Sequence, residues 1–254
     1  MELGLAGRRA LVTGASRGIG FACARALAAE GCDLALAARN VGRLKTAVKT
    51  IRAEHRVGVT SHALDLADEG RREALVDVVG DVDILVNNAG AIPPGDLETI
   101  DDETWRESWE LKVFGYINLT RLVVPQMMER GRGVVINVVG AAAVRPQPNY
   151  LAGAAGNSAL VGFTRGLGQQ TARSGVRVVA VNPGLILTDR LEELLRAAAD
   201  ERFGNPDRWD ELVPTNPAPG DPENVAALVA FLASDKARHI NATAITVDGG
   251  ASGY

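Results

Sequence analysis

The chain is short of aromatic residues, cysteine and lysine, and each shortage closes off a class of protein. Only 4% of its 254 residues are aromatic, and it holds two cysteines, Cys23 and Cys32, and three histidines. Two cysteines make neither a disulfide framework nor a metal-ligand set, so they read as reduced, buried small hydrophobes, and no metal is expected. No apolar run approaches the roughly 18 residues that a membrane helix needs. The longest, about 134–144, is interrupted by Asn137 and Gly140. Positive charge is not in excess: 27 Lys and Arg against 31 Asp and Glu leave −4, which argues against nucleic acid as a partner. The opening residues, MELGLAGRRALVTG, show no uncharged leader core. With reduced cysteines and no membrane partner, the expected compartment is the cytoplasm.

What is present is enough for a sizeable core: 46% apolar against 23% charged residues, too apolar for a disordered chain. Aliphatic runs expected as strands fall at about 8–13, 33–38, 57–63, 82–86, 133–139, 176–181 and 243–247. Stretches of helical period lie between them, at about 18–30, 41–54, 68–79, 102–130, 150–173 and 222–233. Strand–helix alternation with continuously apolar strands predicts an α/β fold, a parallel sheet covered on both faces. No linker, repeat or low-complexity tract divides the chain. One irregular region, about 184–221, is Pro-rich at its end and is expected to hold a substrate lid at about 185–220.

Residues 13–20 read Thr13-Gly14-Ala15-Ser16-Arg17-Gly18-Ile19-Gly20, directly after the first strand and opening the first helix. Glycines there permit a tight turn and close approach to a phosphate, while the helix start aims free N–H groups at the anion. The loop therefore reads as a dinucleotide site.

The three-residue gap between its first two glycines resembles the short-chain dehydrogenase/reductase family. Further matches follow in order: Asn87-Asn88-Ala89-Gly90 after the fourth strand, Asn182-Pro183-Gly184 with Thr188 after the sixth, and Asp248-Gly249-Gly250 after the last. The resemblance covers essentially the whole chain. It implies one Rossmann-type domain over 1–254, a doubly wound sheet of about seven parallel strands. It also implies a nicotinamide cofactor held by Gly14, Ser16, Arg17, Gly18, Ile19, Gly20, Ala89, Pro183 and others. Asp65 with Leu66 would border the adenine, Asn87 and Gly90 the adenosine ribose, and Thr188 the nicotinamide amide, with Gly184 among the other cofactor contacts. The second strand ends Ala37-Ala38-Arg39-Asn40 with no carboxylate for a ribose 2′-hydroxyl. Arg39 together with Arg17 favours the 2′-phosphate of NADP, with NAD as the alternative if Arg39 is merely a solvated strand end.

The family's usual proton-handling set, Asn-Ser-Tyr-Lys, is missing. Counted from flanking landmarks, its Tyr position is Gly153, its Lys position Asn157, its Ser position Gly140 and its Asn position Lys112. Tyr150 does not restore the pair by a small shift, because four residues later stands Ala154. The only lysines are Lys45, Lys49, Lys112 and Lys236. Carbonyl reduction builds charge on oxygen that a donor must meet, and glycine has no side chain for it. The candidates are Lys112, on a helix apolar nearly all round, and Tyr150; Asn157 would hold ribose hydroxyls without supplying a positive charge. The bland alternatives are a lysine that snorkels or pairs with Glu110, and a capping or interface tyrosine.

Two functions follow. The first is an NADP(H)-dependent oxidoreductase with a rebuilt acid/base site, acting on a small carbonyl or alcohol, or on an acceptor such as an iminium or activated alkene. The second is an inactive NADP(H)-binding pseudoenzyme acting as sensor or partner subunit. Five glycines in the helix at about 150–173 allow close backbone approach, and the resemblance implies a homodimer or homotetramer built there.

Overall fold

A computed structural model describes residues 2–253. Seven strands, β1 (Arg9–Thr13), β2 (Asp33–Ala38), β3 (Val59–Ala63), β4 (Ile84–Asn87), β5 (Gly133–Val138), β6 (Val176–Pro183) and β7 (Thr243–Val247), form one sheet. Every pairing is parallel, in the order β3-β2-β1-β4-β5-β6-β7. The helices are α1 (Gly18–Ala29), α2 (Val41–Glu54), α3 (Glu69–Val79), α4 (Asp102–Trp109), α5 (Gly115–Glu129), α6 (Leu151–Thr171), α7 (Asp189–Phe203) and α8 (Pro222–Ala233).

The strands are apolar throughout because both faces are covered. Ala10 and Val12 of β1, Leu34 and Leu36 of β2 and Val179 and Val181 of β6 join α1, α2 and α8 in one core. Their neighbours Leu11, Ala35, Ala37 and Val178 turn the other way and pack with α3 and α5 in a second. Period-two alternation along each strand thus feeds two cores. Strand order reverses between β1 and β4, and the segments after these strands diverge at their carboxyl ends, which opens a crevice there.

Two expected elements are built differently. The helix at about 102–130 is broken by one wide turn, Glu110–Phe114, where the Gly115 N–H reaches back five residues to the Glu110 carbonyl. The irregular region at about 184–221 contains a full helix, α7, capped by the Thr188 side chain on the Leu191 N–H at 3.3 Å. Its two turns of Leu and Ala were hidden by dense charge: Asp189, Arg190, Glu192, Glu193 and Arg196 fall within its first eight residues. Cys23 and Cys32 are free and buried, and burial pushes both thiols up to about 12. Among the described residues no helix is long and apolar enough to cross a membrane, and no group of His, Cys, Asp or Glu has the makings of a metal site.

Candidate active site

The crevice has two compartments. The first, of about 330 Å³, lies over the phosphate loop. Thr13, at the end of β1, ties the two sides of the crevice together. Its hydroxyl donates to the Val86 carbonyl and accepts from the Asn88 and Ala89 N–H groups at 2.9 and 3.0 Å. Gly14 sits at φ +66°, which L side chains rarely adopt, and a Cβ on Gly20 would lie 2.4 Å from the Gly14 carbonyl oxygen. Bare backbone is therefore required where loop and helix meet. No side chain caps the start of α1, so its first N–H groups stay free for an anion.

Gly14, Ser16, Arg17, Gly18, Ile19, Arg39, Leu66, Ala89, Gly90 and Thr188 all line this compartment. Arg43 joins them, a third guanidinium that the sequence reading missed. The signal was available: it falls four residues after Arg39, in the first turn of α2, where the Asn40 side chain accepts from its N–H. Arg17 is held by α7, 2.9 Å from Glu193 and 3.9 Å from Asp189. Three expected residues line neither compartment: Gly20 packs beneath the loop against the Gly14 carbonyl, and Asn87 and Asp65 lie elsewhere. Asn87 is buried and turned inward, donating to Thr120 and Asn137 at 3.0 and 2.9 Å, and Asn88 lines the cleft instead. The strand's alternation decides this, since Asn87 still belongs to β4 and points at the core. Asp65 lies off the wall, its carboxylate accepting from the Ala67 N–H and standing 3.9 Å from Arg39.

The second compartment, of about 550 Å³, opens beyond Asn88 and Gly90, and Lys112, Gly140, Tyr150, Asn157, Pro183, Gly184, Thr188 and Arg190 face it. Here glycines and side chains interlock. A Cβ on Gly153 would fall 2.0 Å from the Tyr150 ring, so that ring fills the space a side chain at 153 would take. A Cβ on Gly140, at φ +138°, would meet the Asn157 amide at 2.8 Å. A Cβ on Gly90 would meet the Lys112 stem at 2.9 Å. Each glycine leaves room that a neighbouring polar side chain occupies.

Lys112 sits in the wide turn and lines the crevice, and such turns recur at functional sites. Its Nζ donates to the Val139 carbonyl at 2.6 Å. Burial, aided by the charge of Arg190, pushes the ammonium down to about 8. Among the described residues it pairs with no carboxylate; Glu110 instead faces Arg72 at 3.9 Å. Burial raises the Tyr150 phenol above its ordinary value, with Arg190 opposing the rise. The phenol is therefore a neutral O–H donor near pH 7. Asn157 is buried and its Oδ1 has no hydrogen-bond partner, an unusual state for a buried amide that faces a cavity.

These residues fit a nicotinamide dinucleotide. A glycine cradle and a free helix start suit a diphosphate, three guanidiniums line the same compartment, and Asn157 offers an unpaired acceptor further along. The α6 glycines serve mainly internal packing. A Cβ on Gly156 would lie 3.0 Å from Val113 and one on Gly168 2.8 Å from Ala242, whereas Gly162 and Gly166 face open space.

Residues 8–199 match the family model described as short chain dehydrogenase. Among curated relatives, 2,3-dihydro-2,3-dihydroxybenzoate dehydrogenase of Bacillus subtilis is 33% identical, over 98% of this chain and 97% of that protein. A 3-oxoacyl-[acyl-carrier-protein] reductase of Staphylococcus epidermidis is 35% identical, over 96% and 98%. Among solved structures, L-sorbose reductase from Gluconobacter frateurii, complexed with NADPH and L-sorbose, superposes with a TM-score of 0.94 at 32% identity and full coverage of both chains. An actinorhodin polyketide ketoreductase with NADPH gives 0.89 at 32% identity, covering 98% of each.

Proposed function

The chain belongs to the short-chain dehydrogenase/reductase family, and from that footing we propose an NADP-dependent oxidoreductase whose proton handling has moved to Lys112 and Tyr150. That it is an oxidoreductase using NADP rests on its relatives; the relocated donors are our reading. The observation that carries it is the Tyr150 ring in the volume vacated at Gly153, facing the same cavity as Lys112.

NADPH, when bound, supplies the hydride to the substrate's carbonyl carbon. The chain's own residues would then deal with the oxygen, where negative charge develops. Lys112 carries a proton it releases near pH 8, and passing it to the alkoxide leaves a neutral amine still held by the Val139 carbonyl. Tyr150 would donate a hydrogen bond to the same oxygen without ionising. Asn157 is assigned to the nicotinamide ribose, Thr188 to the carboxamide, and the guanidiniums of Arg17, Arg39 and Arg43 to the 2′-phosphate.

The segment 185–220 is assigned as a lid, with α7 over both compartments, within one domain spanning 1–254. A homo-oligomer through α5 and α6 is supported by the outward Gly162 and Gly166 and by Phe114, which is 45% exposed on the adjoining wide turn. Single-turnover oxidation of NADPH tests the donors. Lys112→Ala and Tyr150→Phe should each slow it about tenfold or more, the low end for a general acid. If neither does, the assignment fails; tight NADPH binding with no turnover on carbonyl, imine and enone panels would favour the pseudoenzyme.

A further inference from the structure

The larger compartment has a charge pattern that specifies its guest. Four charged side chains line it: Lys112, Arg145, Arg190 and Asp248. Asp248 is spent inside its own loop. One carboxylate oxygen accepts from the Gly250 N–H, and the other from the Ser252 N–H and hydroxyl. Among the described residues no carboxylate lies within ion-pair distance of the three cations. Each rests one donor on a backbone carbonyl: Lys112 on Val139, Arg145 on Ala251 and Arg190 on Ile92. An ammonium has three N–H donors and a guanidinium five, so most of their capacity remains unspent.

Arg190 is the telling case, because acids surround it in sequence. Asp189 and Glu193, on either side in α7, pair with Arg17, and Glu192 pairs with Arg196 at 2.8 Å. Arg190 takes none of them and faces the cavity, where its charge is felt by Lys112 and Tyr150. Beside it the wall is aliphatic, with Ile186, Leu191 and Leu194.

We infer that the substrate is an organic acid, a carbonyl or hydroxyl compound whose carboxylate pairs with Arg190, assisted at the rim by Arg145. Its hydrocarbon body lies along Ile186, Leu191 and Leu194, which leaves Lys112 and Tyr150 for the reacting oxygen. The inference rests on the oxidoreductase reading above and names the substrate class of that site. Arg190 also borders the nucleotide compartment, so the cofactor's diphosphate is the competing anion.

The experiment titrates phenylpyruvate, 2-oxohexanoate and 4-oxopentanoate, each beside its methyl ester, into the full chain saturated with NADPH. Binding is read by NADPH fluorescence and melting temperature. At least one acid should bind about tenfold more tightly than its ester, the scale of one charge-assisted pair. Arg190→Met should erase that preference, Arg190→Lys should recover part of it, and both should bind NADPH as the parent does. Equal binding of acids and esters, or binding of no acid, overturns the inference. So does an Arg190→Met variant that keeps the acid preference and loses NADPH affinity, which would give the guanidinium to the diphosphate. The two readings fail separately. Turnover of neutral ketones with no preference for acids leaves the oxidoreductase standing and removes the acid site; acids that bind the NADPH complex without oxidising it do the reverse.

Discussion

The two compartments of the crevice are made of different material. Over the phosphate loop the floor is backbone, with guanidiniums around it: Gly14 at positive φ, Gly20 against the Gly14 carbonyl, and helix N–H groups left uncapped. Across Asn88 the walls are side chains seated in gaps that glycines leave, with Tyr150 over Gly153, Asn157 over Gly140 and Lys112 over Gly90. A backbone site tolerates no added atom, because nothing in it can rotate away. A site of interlocked side chains can be rearranged, but only by moving partners together. The first compartment therefore fits a dinucleotide, and the second is the one in which we place the proposed donors.

The largest contrast should come from one atom group added to each. Gly20→Val places branched carbon against the Gly14 carbonyl and the Asn88 amide, so NADPH affinity in a calorimetric titration should fall by about a hundredfold or more. Gly153→Ala tests the other side. Its methyl contests the Tyr150 ring, an overpacking that costs about 1–3 kcal/mol, while NADPH affinity should hold. Turnover in that variant should drop about tenfold, comparable to loss of the phenol itself.

The pH dependence of Lys112 is next in size. As the proton donor it fails once deprotonated, so the reductive rate should decline as pH rises through about 8, and Lys112→Met should flatten that limb. Stability has a definite sign as well. The ammonium's value is about 8 in the folded chain against 10.5 for the ordinary side chain, so between these pH values the unfolded chain holds more protons. The parent should therefore gain on Lys112→Met as pH rises across that window. Urea unfolding at its two ends measures the difference.

The smallest effects concern Arg17 and its neighbours, and they carry opposite signs. Arg43→Gln should weaken NADPH about threefold to tenfold relative to NADH, one exposed charge-assisted contact. Glu193→Gln should tighten NADPH about twofold to threefold, since the carboxylate 2.9 Å from Arg17 competes with a 2′-phosphate. Both shifts should shrink in about 0.5 M salt, where exposed charges are screened.

The cradle was legible in the chain because its function depends on glycine spacing and strand order, which are linear properties. The sheet, its seven strands and most helix ends follow from apolar runs, as with β2 and β7, where the expected and observed bounds coincide. The place of Lys112 beside the cavity was reached in the same way, by counting from Trp105. What was not legible was volume. Nothing in the string says that the Tyr150 ring folds back over Gly153, since a residue at the start of a helix can leave in several directions. The wide turn at Glu110–Phe114 was equally hidden, as an inserted residue leaves helical periodicity nearly intact over one turn. The inward aim of Asn87 depended on where β4 stops, a matter of one residue.

The seating of Tyr150 over Gly153 also constrains how this chain can change. Installing a tyrosine at 153 sets two phenyl groups in one volume, and installing a lysine at 157 removes the amide that lies against Gly140. A larger side chain at 153 therefore calls for a smaller one at 150, and the two changes should be coupled rather than additive.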